Sequence, residues 1–300
     1  RYFPRIEGDA VVQISNCFME YGTNKPLKKI LFTLGECDDI ADCDVRRCIS
    51  EAEMLIEWTK MIQYDDPDIL AGYNSYGFDL PYLYNRAKEL GILERFQKLS
   101  KFSEHQSVMK KKRLASAALG DNVWFDVPIV GRIHIDVMRV VQRDFNLSSW
   151  KLDYVASYFM NGSIKNIEPQ ETENTYVITT DNTKGILPDS FVNIQINNGL
   201  TTDLYGDHSK FHVKSVTSNS ITIIGKLCIS EINFKKYKCT WCHAKDDMAY
   251  TEIFDTFSSV FSELYLIFER LFFNISLADL ISKFGTVKVI LAFTPSCEIF

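Results

Sequence analysis

The sequence predicts an α/β fold with a small antiparallel β insertion. Three observations lead there: strand and helix patterns alternate through the first half, short alternating β-rich runs replace them after Ile167, and the composition is that of a chain able to bury a core. Of the 300 residues, 46% are hydrophobic and 24% charged. That excludes a disordered, collagen-like or coiled-coil chain. At roughly 150 residues per domain, the length suggests about two domains.

Ala10–Ser15 is a short β-branched run and Lys29–Leu34 a second one beyond a polar turn; both are expected as neighbours in one sheet. Ser50 has the character of an N-cap, with Glu51 and Glu53 in the first turn, and Met54, Leu55, Trp58 and Ile62 form an apolar helical stripe behind it. Asp65-Asp66-Pro67-Asp68 stops that helix and Ile69–Gly72 reads as a brief buried strand. A second helix is expected from near Phe78 to about Leu90, with Pro81 tolerated in its first turn and Gly91 ending it. Gly131–Asp136 returns to strand character, followed by helices over Val137–Asp144 and Lys151–Phe159.

Between Glu168 and Gly225, strands are expected at Tyr176–Thr179, Phe191–Ile196, Phe211–Val216 and Ile221–Ile224, with turns at Asn197–Gly199 and Ser218–Ser220. The expected organisation is an α/β domain over 1–167 and 236–257 with the β insertion at 168–235. From Phe257 neither period holds, and eight of the 21 Phe fall there. This break over 258–300 fits a frameshift or intron read-through. The chain opens on Arg1 rather than Met and is expected to be a piece of a longer protein.

The 33 Lys and Arg against 39 Asp and Glu give a net charge of −6, so a nucleic-acid partner would need a local patch or a metal. The one basic run is Lys110, Lys111, Lys112 and Arg113, which reads first as a solvated loop and second as a phosphate-contacting one. No apolar stretch of about 18 residues is present, so no membrane span is expected. The eight Cys read as reduced thiols of a chain that is not secreted. Cys239-Thr240-Trp241-Cys242-His243 matches the haem-attachment pattern in three fixed positions, but two structural thiols account for it more simply. A redox or metal module there would need two further close ligands, and only His243 is near in sequence.

The chemistry is expected in the segment from Asp66 to Leu83. It places Asp79 in the first turn of a helix just after a buried strand, where α/β folds bind ligands. Asn74, Tyr76 and Phe78 bring an amide and two aromatic faces, suited to a base or sugar; Asp79 as a simple first-turn helix acid remains the plainer alternative.

This segment resembles the second exonuclease motif of family B DNA polymerases: Asn, two or three residues, Phe or Tyr, then Asp. Asp66-Pro67-Asp68-Ile69 before it, with Pro81-Tyr82-Leu83 and Arg86-Ala87 after it, are similar to the delta-type and large-DNA-virus branch. Phe3-Pro4, Asp9–Ile14, Gly131-Arg132, Asp136, Gln142–Asp144, Leu152–Ala156, Trp241, Lys245–Asp247 and Ile253-Phe254 follow in the family's order. The resemblance implies an RNase H-like exonuclease domain with a mixed sheet flanked by helices. It implies removal of the 3′-terminal nucleotide of a DNA primer by two ions, Mg²⁺ or Mn²⁺, held by carboxylates. Asp79 would then be a catalytic metal carboxylate, with Asp136 a secondary metal candidate. Asn74, Phe78, Tyr76 and Tyr82 would meet the terminal nucleotide, and the basic run from Lys110 to Arg113 would meet the strand. Implied partners are the DNA, the remainder of the polymerase chain and a sliding clamp, at an intracellular replication site, nuclear or viral.

The sequence departs from the family at two places. No Asp-x-Glu occurs, so the first motif is expected upstream of Arg1, and the only Tyr-x-x-x-Asp, Tyr64 to Asp68, lies in the wrong order. With one carboxylate of about four matched, two ions would lack their ligands, so little or no nuclease activity and no polymerase activity is expected of this chain alone. The alternatives are a non-enzymatic β module binding a partner or nucleic acid on an inactive scaffold, and a stand-alone exonuclease with acids at other positions.

Overall fold

The structure, a computed structural model, describes residues 6–20, 26–116, 120–199, 201–206, 209–229, 232, 237–244 and 288–293. Phe3-Pro4, Lys245–Asp247, Ile253-Phe254 and the tail outside 288–293 lie outside the described residues. Two compact units are present, the first built on residues 1–146 with 277–300, the second on 147–249.

The first unit is mixed α/β. Strands β1 (Gln13–Glu20), β2 (Pro26–Leu34) and β3 (Asp44–Cys48) lead to helix α1 (Glu51–Asp65), strand β4 (Ile69–Gly72), and helices α2 (Asp79–Glu89) and α3 (Leu93–Phe96). A hairpin of β5 (Lys110–Ser116) and β6 (Gly120–Asp126) precedes β7 (Ile133–Asp136) and α4 (Val137–Asp144). The sheet order is β3-β2-β1-β15-β4-β7, where β15 (Lys288–Phe293) comes from the end of the chain. β1 runs antiparallel to β2 and β15, while β15, β4 and β7 are parallel to one another.

Local chemistry explains these boundaries. The Ser50 hydroxyl caps α1 by accepting from Glu53 N (3.2 Å), and the Glu53 carboxylate accepts from Ile49 N (2.8 Å). Asp66 closes α1 in the left-handed region (φ 48°), and its carboxylate then meets Arg132 (2.7 Å). The helices cover one face of the sheet: Trp58, Met54, Leu55 and Ile62 pack with Ile14, Phe18, Ile30 and Phe32 from β1 and β2. Each such side chain contributes roughly 1.5–3 kcal/mol on burial. Within this core, Glu51 and Arg86 form a buried pair; Glu51 also accepts from Val11 N (2.9 Å), and Arg86 donates to Ile6 O. The pair fixes the approach to β1 against α1 and α2.

The second unit begins with α5 (Leu152–Phe159) and continues as β8 (Asn161–Pro169), β9 (Thr175–Thr180), β10 (Phe191–Asn197), β11 (Thr202–Leu204), β12 (Phe211–Val216), β13 (Ser220–Ile224) and β14 (Lys238–Ala244). The pairings β10-β12-β13-β9-β8-β14 return to β10, so the strands close into a six-stranded barrel with β11 beside β10. Its interior is Ile164, Ile178, Ile194, Ile221, Ile223, Phe211, Val213 and Trp241. The Trp241 indole donates to Thr180 Oγ1 (2.9 Å) and Asn182 O (3.2 Å). Gly162 opposite leaves room for that ring, since a Cβ there would stand 2.6 Å from Trp241 Nε1.

The β-rich region is therefore wider than 168–235, because β8 and β14 are barrel strands. Trp241, expected as part of the approach to a catalytic motif, is a barrel core residue. Cys239 and Cys242 are buried thiols of β14, and burial pushes Cys242 up to about 12, which leaves it unreactive.

Candidate active site

The candidate site forms where β4 ends and α2 begins. Gly72, the last residue of β4, pairs in parallel register with Asp136, the last residue of β7. The chain then turns through Tyr73–Phe78 before Asp79 opens α2. Asn74 sits in the left-handed region (φ 58°), a conformation Asn tolerates better than most residues, and its carbonyl accepts from Gly77 N and Phe78 N (2.9 Å each). The Asn74 carboxamide lies over Gly77: a Cβ on residue 77 would stand 2.2 Å from Asn74 Oδ1. Asp79 is half-buried in the first turn of α2, two residues beyond Gly77, where the helix N-terminus favours a carboxylate.

The turn is held from β7. Asp136 Oδ1 accepts from Asn74 N (2.9 Å) and from Met138 N (3.1 Å), and Oδ2 accepts from Tyr76 N (3.1 Å). At 2% exposure, desolvation raises the Asp136 pKa, and these N–H groups together with Arg139 oppose that rise. Two residues earlier on the same strand, His134 Nε2 meets Ser75 Oγ at 2.9 Å and the His134 carbonyl accepts from the Tyr76 hydroxyl (3.0 Å). The Tyr76 ring stands edge-on to the imidazole, with centroids 4.3 Å apart. Burial pushes His134 down to about 4 and Tyr76 up to about 12, so both are neutral near pH 7. His134 Nδ1 is closed off from solvent without a hydrogen-bond partner.

The predicted residues thus divide. Asn74, Tyr76 and Asp136 come together and Asp79 opens the helix that follows, whereas Phe78 is in the hydrophobic core, stacked on Tyr82 at 5.2 Å. Tyr82 is also buried and donates to Asp9 O (2.6 Å). Both rings are buried in the core, so neither presents an open face to a base. Asp136, expected as a secondary metal oxygen, is instead occupied by backbone N–H groups. Among the described residues no group of three or more His, Cys, Asp or Glu gathers to hold a metal; Asp79 is the carboxylate of the matched motif that would be a ligand.

The basic run, expected as a loop, is strand β5. Its register places Lys110 and Lys112 opposite Asp126 and Trp124, and Lys112 pairs with Asp126 while Arg139 lies over the Trp124 ring. Lys111 and Arg113 alternate with them, and Lys111 faces Phe125, which is 37% exposed. Residues that sequence reasoning missed are His134, Ser75 and Gly77. The signal for His134 was its two-residue spacing from Asp136 on a strand, which puts both on one face.

A family model described as DNA polymerase family B, exonuclease domain, matches residues 1–155. The DNA polymerase of Pyramimonas orientalis virus is 38% identical over 253 residues, covering 84% of this chain and 19% of that protein. The DNA polymerase of Phaeocystis pouchetii virus is 31% identical over 274 residues, covering 85% and 26%. The DNA polymerase delta catalytic subunit of Schizosaccharomyces pombe is 36% identical over 179 residues, covering 60% and 16%. The chain thus spans about a quarter or less of the length of these relatives. The first viral match, at 84% of this chain, extends beyond the first unit.

Proposed function

We propose, from the premise that this chain belongs to the family B DNA polymerases and carries their exonuclease domain, that its first unit receives the single-stranded 3′ end of DNA for 3′–5′ exonucleolytic proofreading within a replicative polymerase. The family match over 1–155 carries this reading, because it spans the Asn74–Asp79 turn. An antiparallel set β2-β1-β15 continued by parallel β4 and β7 supports an RNase H-like assignment. Divalent ions, Mg²⁺ or Mn²⁺, are the cofactor of the complete domain, with Asp79 as a ligand; the described residues alone do not supply the rest of that centre. Asn74 and Tyr76 meet the terminal nucleotide, and Lys111 and Arg113 on β5 meet the phosphates of the strand. The remainder of the polymerase and a sliding clamp are the protein partners, at a nuclear or viral replication site. The barrel is an insertion shared with the viral branch.

The test is binding and cleavage by the whole chain. It should bind a short single-stranded oligonucleotide by its 3′ end, Asp79→Ala should change that binding, and no nucleotide should be released with Mg²⁺ or Mn²⁺. Release that Asp79→Ala abolishes would overturn the expectation of inactivity. Absence of any 3′-end preference would overturn the assignment of the site.

A further inference from the structure

We infer that Asp136 and His134 are positioning residues for the 3′-terminal nucleotide: β7 is the template against which residues 74–76 are laid, so that the Asn74 carboxamide is held over Gly77, two residues before Asp79. This rests on the exonuclease reading of the site and assigns its rigidity to a strand outside the motif.

The hydrogen bonds of Asp136 exceed what its place in the fold requires. It is the N-cap of α4, a role one bond to Met138 N fulfils and Ser or Thr would fill as well. The second bond of Oδ1 and the bond of Oδ2 go instead to Asn74 N and Tyr76 N, across the sheet from Asp136. A carboxylate at 2% exposure is costly unless such N–H groups meet it. His134 adds the residue between, meeting Ser75 through its ring and Tyr76 through its carbonyl. Three successive residues are therefore fixed by two side chains of one strand, and the first of them, Asn74, has positive φ. An Asn74 released from that turn would revert toward the commoner backbone regions and carry its carboxamide away from Gly77.

The experiment compares the whole chain with Asp136→Asn and Asp136→Ala. Asn retains an acceptor for Asn74 N but turns an NH₂ group toward Tyr76 N–H or the reverse, whereas Ala removes every bond. Amide hydrogen exchange should rise at residues 74 and 76 in both variants, more in Ala, while α1 stays protected; unchanged exchange there overturns the clamp. Affinity for a linear single-stranded oligonucleotide with a free 3′ end should fall about tenfold, the scale of one lost hydrogen bond to a ligand, in Asp136→Ala. Affinity for a circular oligonucleotide of equal length should not change. Equal losses on both DNAs would make Asp136 merely structural and overturn the positioning role. If the unaltered chain shows no 3′-end preference, the exonuclease reading fails, and the exchange measurement still decides whether the clamp exists.

Discussion

Replacing Gly77 by Ala separates recognition from stability. A Cβ at residue 77 would stand 2.2 Å from Asn74 Oδ1 and 3.0 Å from its Cγ, so the carboxamide must rotate away. The backbone does not resist the change, because Gly77 is absent from the positive-φ glycines and is itself exposed. Alanine also restricts the unfolded chain, worth about 0.4–1 kcal/mol in favour of folding where the native conformation is compatible. The expected stability change in urea is therefore within about 1 kcal/mol of zero. The displaced carboxamide takes with it one hydrogen bond to the terminal nucleotide, about 1 kcal/mol, or a five- to tenfold weaker affinity for a single-stranded 3′ end in an anisotropy titration. Asn74→Ala should reproduce the loss, and the double variant should lose no more than either single one, because both act on the same group. A folded Gly77→Ala variant that binds as tightly as the parent would refute this account of Asn74.

Three further outcomes are expected. Glu51→Gln should destabilise the chain by about 3–5 kcal/mol in urea denaturation, because it leaves the buried Arg86 guanidinium without its carboxylate. Stability should fall by up to about 3 kcal/mol as the pH drops from about 6.5 to about 4, because the unfolded chain takes up a proton at His134 that the folded chain refuses. The raised Asp136 carboxyl acts in the opposite direction at the acid end and offsets part of that loss, and His134→Gln should flatten the profile between pH 6.5 and 4. Gly162→Ala should cost about 1–3 kcal/mol, read as a lower denaturation midpoint of the barrel, since its Cβ would press on Trp241 Nε1, Thr180 Oγ1 and the Asn182 carbonyl within 2.7 Å.

Much of the first unit was legible because its signals are local. Ser50, the acidic first turn and the Met54–Ile62 stripe define α1 without reference to the rest of the chain, and Gly91, at φ 69°, stops α2 in the same way. β3 escaped because Asp44–Cys48 is a charged edge strand with no apolar alternation. The hairpin of β5 and β6 escaped for a related reason: Lys110–Arg113 lacks the pattern of a half-buried strand, and pairing with β6 makes it one. At the site, Asn74, Tyr76 and Asp79 were readable from one contiguous motif. His134 and Ser75 were not, because their meeting depends on the register of β4 against β7, which brings distant residues together. Phe78 shows the remaining ambiguity. An aromatic beside an acid suits a base-stacking face and a core plug equally, and only its burial against Tyr82 separates them.

The placement of β15 has a consequence for synthesis on the ribosome. β1 and β4 flank a gap in the sheet that Lys288–Phe293 fills, and the ribosome delivers that segment after every described strand of the barrel. The barrel closes on its own strands and can condense while the sheet still has two unsatisfied edges. Until Lys288–Phe293 emerges, those edges are open to pairing with other nascent chains. Completion of the sheet around β4, from whose end the Tyr73–Phe78 turn departs, is thereby coupled to the arrival of a strand about 220 residues later in the chain.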